Sequence, residues 1–142
     1  MSIDTIFEIG FLLTIVFLSY WWRVLFRRVV ALRRSKKIFI GFGNDEELHR
    51  SIRCHANFVE NVPIAMILPV ILYFHDLVMF SFAAGLLLAI GRYVHSEALK
   101  KTSEPQGRRR LGMRMTVYSH YVSIAGVIFY ICLLYTSDAA DE

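Results

Sequence analysis

The chain has 142 residues, of which 56% are hydrophobic, and its formal net charge is +4. This length favours a single domain, and the hydrophobic residues come in long blocks, which indicates that lipid is the solvent. The Lys and Arg residues flank these blocks without a base-stacking motif, so we expect anionic lipid headgroups, and not nucleic acid, as partners.

Four membrane-spanning helices are predicted. The first covers residues 6–24 and continues as a basic helix to about residue 37. The second begins near residue 46 as a polar helix and is apolar over residues 62–74, the third covers residues 77–94, and the fourth covers residues 115–131. With their polar extensions, these stretches approach the ~20 residues that a bilayer-crossing helix needs.

The start of the chain does not have the pattern of a cleavable signal peptide. Asp4 and Glu8 precede the first apolar block, where a signal peptide would carry Lys or Arg. The aromatic cluster Tyr20-Trp21-Trp22 follows the block and is typical of a membrane interface. We therefore expect the first span to be retained.

The basic residues predict the orientation. Nine of the sixteen Lys and Arg lie between Arg23 and Arg53, and the other seven lie between Arg92 and Arg114. Two crossings separate these regions, so both lie on the same side of the membrane, and the opposite side has no Lys or Arg. Under the positive-inside rule, both basic loops are cytoplasmic and the N-terminus is on the opposite side.

A polar stripe marks the point where the second helix becomes apolar. Arg53, Asn57 and Glu60 are spaced four and three residues apart, on one side of a helix. Because charged groups facing hydrocarbon are costly, this stripe is expected to face a protein interior or a ligand. The spacing leaves two interpretations open: a polar clamp between helices, or a pocket for an anionic ligand rich in amides. Arg92, at a similar depth on the third helix, is expected to pair with Glu60.

Other candidate residues lie at the same end. His95 follows Arg92 by one helical turn, although an isolated histidine near headgroups is more often solvated or a capping residue. Arg108, Arg109 and Arg110 precede the fourth helix, where they either bind lipid phosphates or turn one guanidinium inward to stabilise a bound thiolate. The sequence contains no metal-ligand spacing, Gly-rich phosphate loop or serine nucleophile elbow, so no metal is predicted.

The last eleven residues, 132–142, do not match the rest of the chain. From Cys132 to Glu142 they resemble, position by position, one reading frame of a common transposase sequencing adapter. The prediction is a native membrane domain over residues 1–131 with a truncated fourth helix, followed by a non-native tail. The alternative is an ordinary acidic C-terminus. Without the tail, Cys54 is the single cysteine, which leaves no intrachain disulfide.

The motif of the second helix also carries a family resemblance. The run Arg53-Cys54-His55-Ala56-Asn57-Phe58-Val59-Glu60, with Pro63, resembles the Arg-x-His-x-Asn-x-x-Glu…Pro signature of the MAPEG family, the membrane-associated proteins in eicosanoid and glutathione metabolism. Gly41-Phe42-Gly43, Gly91-Arg92-x-x-His95 and Arg109-x-x-Gly112-Met113 are similar to its small bacterial branch. The resemblance covers residues 17–131.

The resemblance implies a fold and an assembly. The fold is an all-α integral membrane protein with a four-helix transmembrane bundle, assembled as a homotrimer in the bacterial inner membrane. Glutathione, a co-substrate, is expected between neighbouring subunits on the cytoplasmic side. The predicted glutathione-binding residues are Arg53, Asn57, Glu60, Arg92 and His95.

The implied activity is that of a glutathione transferase or peroxidase. One arginine of Arg108, Arg109 and Arg110 is expected to stabilise the glutathione thiolate, which attacks a lipophilic electrophile or peroxide. Spacing favours Arg108 for this role and the bacterial pattern favours Arg109. Leu99 stands where the eicosanoid enzymes have a tyrosine. The alternative is a non-catalytic membrane protein whose stripe is an interhelical clamp, and a channel is disfavoured because the polar residues cluster at one end.

Overall fold

The computed structural model describes residues 1–100 and 106–138, and these form four helices. They are α1 (Ile3–Lys36), α2 (Glu46–Phe74), α3 (Val78–Lys100) and α4 (Gln106–Asp138). All four are long and apolar enough to cross a membrane, which confirms the all-α prediction with four spans. The third and fourth helices extend beyond their predicted apolar blocks, because polar residues continue the helical backbone at the ends.

The predicted end of the native domain at residue 131 has no counterpart in a helix boundary. Helix α4 runs through this position to Asp138, and residues 139–142 lie outside the described part of the chain. The origin of the tail therefore stays a prediction.

Polar contacts define the start of α2 and the loop before it. The Asp45 side chain caps α2, since its Oδ1 accepts a hydrogen bond of 2.8 Å from the backbone N–H of Leu48. Lys36, at the end of α1, pairs with Asp45 at 2.6 Å and with Glu47 at 3.0 Å. Arg33 donates hydrogen bonds to three loop carbonyls, those of residues 38, 39 and 41. The loop is thus fixed to both helices that it connects.

Helix α3 lies at the centre of the bundle. It packs against each of the other three helices, while α1 and α4 have no contact with each other among the described residues. The main hydrophobic core joins α1, α2 and α3 through Leu18, Leu25, Phe58 and Leu88. Helix α4 is therefore held from one side only, mainly by α3.

Small residues allow α3 and α4 to approach closely. A Cβ atom built on Gly112 would lie 2.7 Å from the backbone oxygen of Gly91 and 2.7 Å from the backbone nitrogen of His95. Farther along, the hydroxyl of Ser119 donates a 2.8 Å hydrogen bond to the carbonyl of Ala84 on α3. Gly91 on α3 and Gly112 on α4 therefore form the closest part of this contact.

One end of the bundle is marked by aromatic contacts that align three helices. The Tyr73 hydroxyl of α2 donates a 2.8 Å hydrogen bond to Glu8 of α1. The His75 ring, just after α2, lies 4.3 Å from the ring of Tyr130 on α4. Glu8, Tyr73 and Tyr130 therefore lie at a similar level, at the end that has no Lys or Arg.

The other boundary of the hydrocarbon follows from helix geometry. A hydrocarbon core of about 30 Å corresponds to about 20 helical residues. Twenty residues from Glu8, Tyr73 and Tyr130 along their helices lie Arg28 on α1, Arg53 on α2 and Arg110 on α4. Three helices thus reach a cation at the same level, and we call this side of the molecule the basic end.

Candidate functional site

Arg92 lies at the centre of the polar residues near the basic end. It is 2% exposed, and its Nη1 donates a 2.8 Å hydrogen bond to the Oδ1 of Asn57 on α2. Its Nη2 lies 3.4 Å from the carbonyl oxygen of Gly112 and 3.9 Å from the sulfur of Met113, both on α4. The Nε of Arg92 is buried without a hydrogen-bond partner in the described structure. One guanidinium therefore connects α2, α3 and α4.

The expected pairing of Arg92 with Glu60 is wrong, because Asn57 takes that position. Glu60 follows Asn57 by three residues, which turns its side chain by about 60° around the helix. This rotation points it away from α3, and 56% of its side chain is exposed. An amide in place of a carboxylate leaves the Arg92 charge without a buried counter-ion in the described residues.

Arg53 and Glu60 lie on the exposed side of α2, with Arg53 at the edge of its contact with α3 and α4. Their closest atoms, Nη1 and Oε1, are 3.9 Å apart, and 52% of the Arg53 side chain is exposed. At this distance and exposure the ion pair contributes little to stability. Both side chains therefore have charge available for a further partner.

A cavity of about 210 Å³ opens beside Asn57 at the basic end. It is lined by residues of α2, α3 and α4: Glu46, His49, Arg50, Arg53, Asn57, His95, Leu99 and Arg109. Four of these residues, Arg53, Asn57, His95 and Arg109, were predicted as site residues from the sequence. Arg92 lies behind Asn57, whereas Glu60 is not part of the lining.

His95 belongs to this cavity and is not solvated. It is 4% exposed, and its backbone lies against α4 at Gly112. The alternative of a solvated histidine is therefore wrong. The close approach of α3 and α4 at Gly91 and Gly112 is what buries this ring.

The lining also contains Glu46, His49, Arg50 and Leu99, which the sequence interpretation did not assign to the site. Glu46 pairs with Arg50 at 2.7 Å, one turn apart on α2. The ring of His49 stacks on that of Phe42 from the preceding loop, with centroids 4.6 Å apart. The lining residues of α2 could have been found from the sequence, because the spacing by three and four residues continues from Arg53 back to Glu46.

Comparison with known protein families agrees with this architecture. The model of the MAPEG family matches residues 11–134. The chain belongs to the MAPEG family. No curated protein and no solved structure gives a significant match. With its four apolar helices, this MAPEG member is an integral, multi-pass membrane protein.

Two of the three consecutive arginines of this MAPEG protein, Arg109 and Arg110, point in different directions. Arg109 lines the cavity with Arg53 and His95. Arg110 instead lines a separate groove on the outer side of α4, together with Arg114. Of the two, Arg109 is therefore the residue whose charge reaches the cavity.

The described part of the chain contains no group of three or more His, Cys, Asp or Glu side chains that could hold a metal ion. Cys54 is also set apart from the cavity lining. It is 3% exposed, and its thiol donates a hydrogen bond to the carbonyl of Ser96. The cavity therefore offers cations, an amide and imidazoles, which suit an anionic organic ligand.

Proposed function

We propose that the protein is a glutathione-dependent transferase or peroxidase that acts on lipophilic electrophiles at the cavity of the basic end. The observation that supports this most is the lining itself, in which Arg53, Asn57, His95 and Arg109 come together from three helices. The MAPEG family includes glutathione-dependent enzymes, as the sequence resemblance already implied. The cavity also lies next to the hydrocarbon, where lipophilic substrates concentrate.

The functional groups of glutathione match the side chains around the cavity. One of its two carboxylates suits the planar guanidinium of Arg53, which donates two parallel hydrogen bonds to such a group. Its ammonium group suits the carboxylate of Glu60, which lies outside the cavity lining but 3.9 Å from Arg53. The oxygen of Asn57 already accepts from Arg92, so the amide N–H groups of Asn57 remain to donate to a peptide carbonyl of glutathione.

Arg109 has the role of stabilising the thiolate. A nearby cation favours the ionised form of a thiol, and the proton of the thiol leaves to solvent at the open side of the cavity. The thiolate sulfur then attacks the electrophilic carbon of the substrate and forms a C–S bond. The leaving group departs with the electron pair of its broken bond, or the opened ring oxygen takes up a proton.

The exposed side of α2 supports a homo-oligomer, and we propose the homotrimer that the family resemblance implies. Glu60 lies seven residues inside the level of Arg53, which is about 10 Å into the hydrocarbon. An exposed carboxylate at that depth is costly in lipid, so a second copy is expected to cover it. The cavity of about 210 Å³ is also smaller than the roughly 300 Å³ at which small-molecule sites begin, so a neighbouring subunit would complete it.

The proposed setting is the bacterial inner membrane, with the basic end in the cytoplasm. The positive-inside rule supports this orientation. It also brings the cavity to the compartment that holds reduced glutathione. Labelling of single cysteines introduced in the loop at residue 40 and in the turn at residue 76 tests it, and labelling of the loop from the periplasm would contradict it.

A non-catalytic interhelical clamp is the second candidate, and the Arg92–Asn57 hydrogen bond supports it. In this case the polar residues stabilise the bundle, and no thiol-dependent turnover exists. The clamp predicts that Asn57→Ala destabilises the bundle and that Glu60→Gln has no effect on glutathione. The transferase proposal predicts that Glu60→Gln weakens glutathione binding.

The test is a glutathione titration by calorimetry on the full chain in detergent, combined with turnover of an activated aryl chloride. Arg53→Ala is expected to weaken binding about tenfold or more, as expected for loss of a charge-assisted hydrogen bond. Arg109→Ala is expected to reduce turnover more than binding, because its charge acts on the thiolate. Arg34→Ala, which removes an exposed cation at the water-facing end of α1, is the matched control.

Two results would contradict the proposal. A folded, oligomeric protein that binds no glutathione at millimolar concentrations would exclude the transferase function. Loss of turnover in Arg108→Ala or Arg110→Ala, with Arg109→Ala unaffected, would show that the wrong arginine has been chosen.

A further inference from the structure

The outer side of α4 carries a groove that the proposed glutathione site does not use. The groove has a volume of about 380 Å³, and all six residues that line it are exposed: Arg110, Met113, Arg114, Val117, Tyr118 and Tyr121. They follow one another at helical spacings and form a single stripe, which we call the α4 outer groove. The buried residues Thr116, Ser119 and Ser123 lie on the opposite side of the helix, toward α3.

The depth of the two arginines makes their exposure informative. Arg110 lies about 20 residues, or about 30 Å, from Tyr130, at the hydrocarbon boundary of the basic end. Arg114 lies one turn farther in, about 6 Å below that boundary. Neither arginine makes an ion pair within the part of the chain that the structure describes. An exposed guanidinium at such a depth requires an anion, and its long side chain reaches back toward the headgroups.

The spacing of Arg110 and Arg114 on the helix allows both guanidinium groups to bind one phosphate group. Side chains four residues apart on a helix start about 6 Å from each other, so Arg110 and Arg114 can bind the same phosphodiester from two sides. Guanidinium groups bind phosphate oxygens in a bidentate manner, at a fixed orientation. Below them, Val117 and the ring faces of Tyr118 and Tyr121 offer an apolar surface to an acyl chain, as aromatic side chains do at membrane interfaces.

We propose that the α4 outer groove is a binding site for an anionic phospholipid of the leaflet at the basic end. Its phosphate lies between Arg110 and Arg114, and one acyl chain follows the groove past Tyr121. A zwitterionic lipid carries a cation next to its phosphate, which the two arginines repel. The groove therefore selects lipids with a net negative headgroup.

A second copy of the chain is a poorer occupant of this groove. All sixteen Lys and Arg lie toward the basic end, so a neighbouring copy brings further positive charge to the level of Arg110 and Arg114. A bilayer, in contrast, supplies phosphate at this level.

The experiment measures lipid preference at the groove itself. The full chain with the Tyr121→Trp reporter is reconstituted in vesicles that mix phosphatidylglycerol and phosphatidylcholine, one of them brominated in its acyl chains. Residue 121 lies about 10 Å below Arg114, at the depth of the bromines. The emission of the unsubstituted protein, from Trp21 and Trp22, is subtracted, so that quenching reports which lipid occupies the groove.

Phosphatidylglycerol is expected to be preferred over phosphatidylcholine, by about fivefold for each arginine. The double change Arg110→Gln and Arg114→Gln is expected to abolish the preference. The matched control, Arg34→Gln with Lys37→Gln, removes the same charge from exposed positions at the end of α1 and is expected to leave the preference unchanged. Added salt is expected to reduce the preference in the unsubstituted groove.

Three results would overturn the proposal. The first is an equal affinity for the two lipids with both arginines present. The second is an equal loss of preference in the control, which would mean that only the overall charge matters. The third is the absence of quenching by either lipid, which would mean that a second copy or another protein segment covers the groove.

Discussion

The contact between Gly91 and Gly112 gives the sharpest prediction about the fold and the site together. In Gly112→Ala, the new methyl group would lie 2.7 Å from the Gly91 oxygen and 2.7 Å from the Cβ and the backbone nitrogen of His95. Because two of these three atoms belong to the α3 backbone, no side-chain rotation relieves the contact. The two helices must therefore separate by about 1 Å to restore normal van der Waals distances.

The expected cost follows from two opposing effects. Overpacking of a closely packed contact costs about 1–3 kcal/mol. The replacement of glycine by alanine in a helix returns about 1 kcal/mol of that, through the lower entropy of the unfolded backbone. These figures leave a net loss of about 0–2 kcal/mol in the free energy of unfolding, and we expect the upper part of this range because the contacted atoms belong to the α3 backbone. The separation also lengthens the contact between Arg92 and the Gly112 carbonyl, now 3.4 Å.

The assay is a titration of the protein from mild detergent into sodium dodecyl sulfate, followed by circular dichroism and by tryptophan emission. Gly107→Ala is the matched control, because it makes the same change on α4 where a Cβ would meet nothing within 4 Å. The control is expected to be neutral or slightly stabilising. If both variants unfold at the same detergent fraction as the parent, the close approach of α3 and α4 is not as described and the reasoning fails.

Three further predictions concern single interactions. Asn57→Ala leaves the buried guanidinium of Arg92 without its 2.8 Å partner and is expected to lower the free energy of unfolding by about 2 kcal/mol in the same titration; a neutral result would contradict the clamp. Ser119→Ala removes a hydrogen bond between α3 and α4 and is expected to cost about 0.6 kcal/mol, and a loss above 2 kcal/mol would point to a different role. The ion pair with Lys36 and the N–H of Leu48 hold the pKa of the Asp45 carboxyl below its ordinary value of 3.8. Asp45 therefore stabilises the fold above that pH, and this contribution is lost as the pH falls through the lowered pKa; Asp45→Asn should remove this part of the acid dependence of the melting temperature, and an unchanged acid profile would refute it.

The sequence by itself determined the number of spans, the helical fold and the identity of the basic end. Apolar blocks of bilayer length leave the backbone no alternative to a helix, because every N–H and C=O must be satisfied within lipid. The clustering of all Lys and Arg at the loops of one side fixed which helix ends lie together. The stripe of Arg53 and Asn57 was visible for the same reason, since cations and amides stand out against an apolar helix.

Tertiary structure decided which of these polar groups meet. Helical spacing gives the direction of a side chain on its own helix but not the rotation of one helix against another. For this reason the sequence paired Arg92 with Glu60, whereas the rotation of α2 brings Asn57 to Arg92 and leaves Glu60 on the exposed side. In the same way, the rotation of α4 against α3 turns Arg109 to the cavity and Arg110 to the outer groove. Side-chain packing between helices, above all the Gly91–Gly112 contact, sets these rotations, and neither composition nor periodicity contains them.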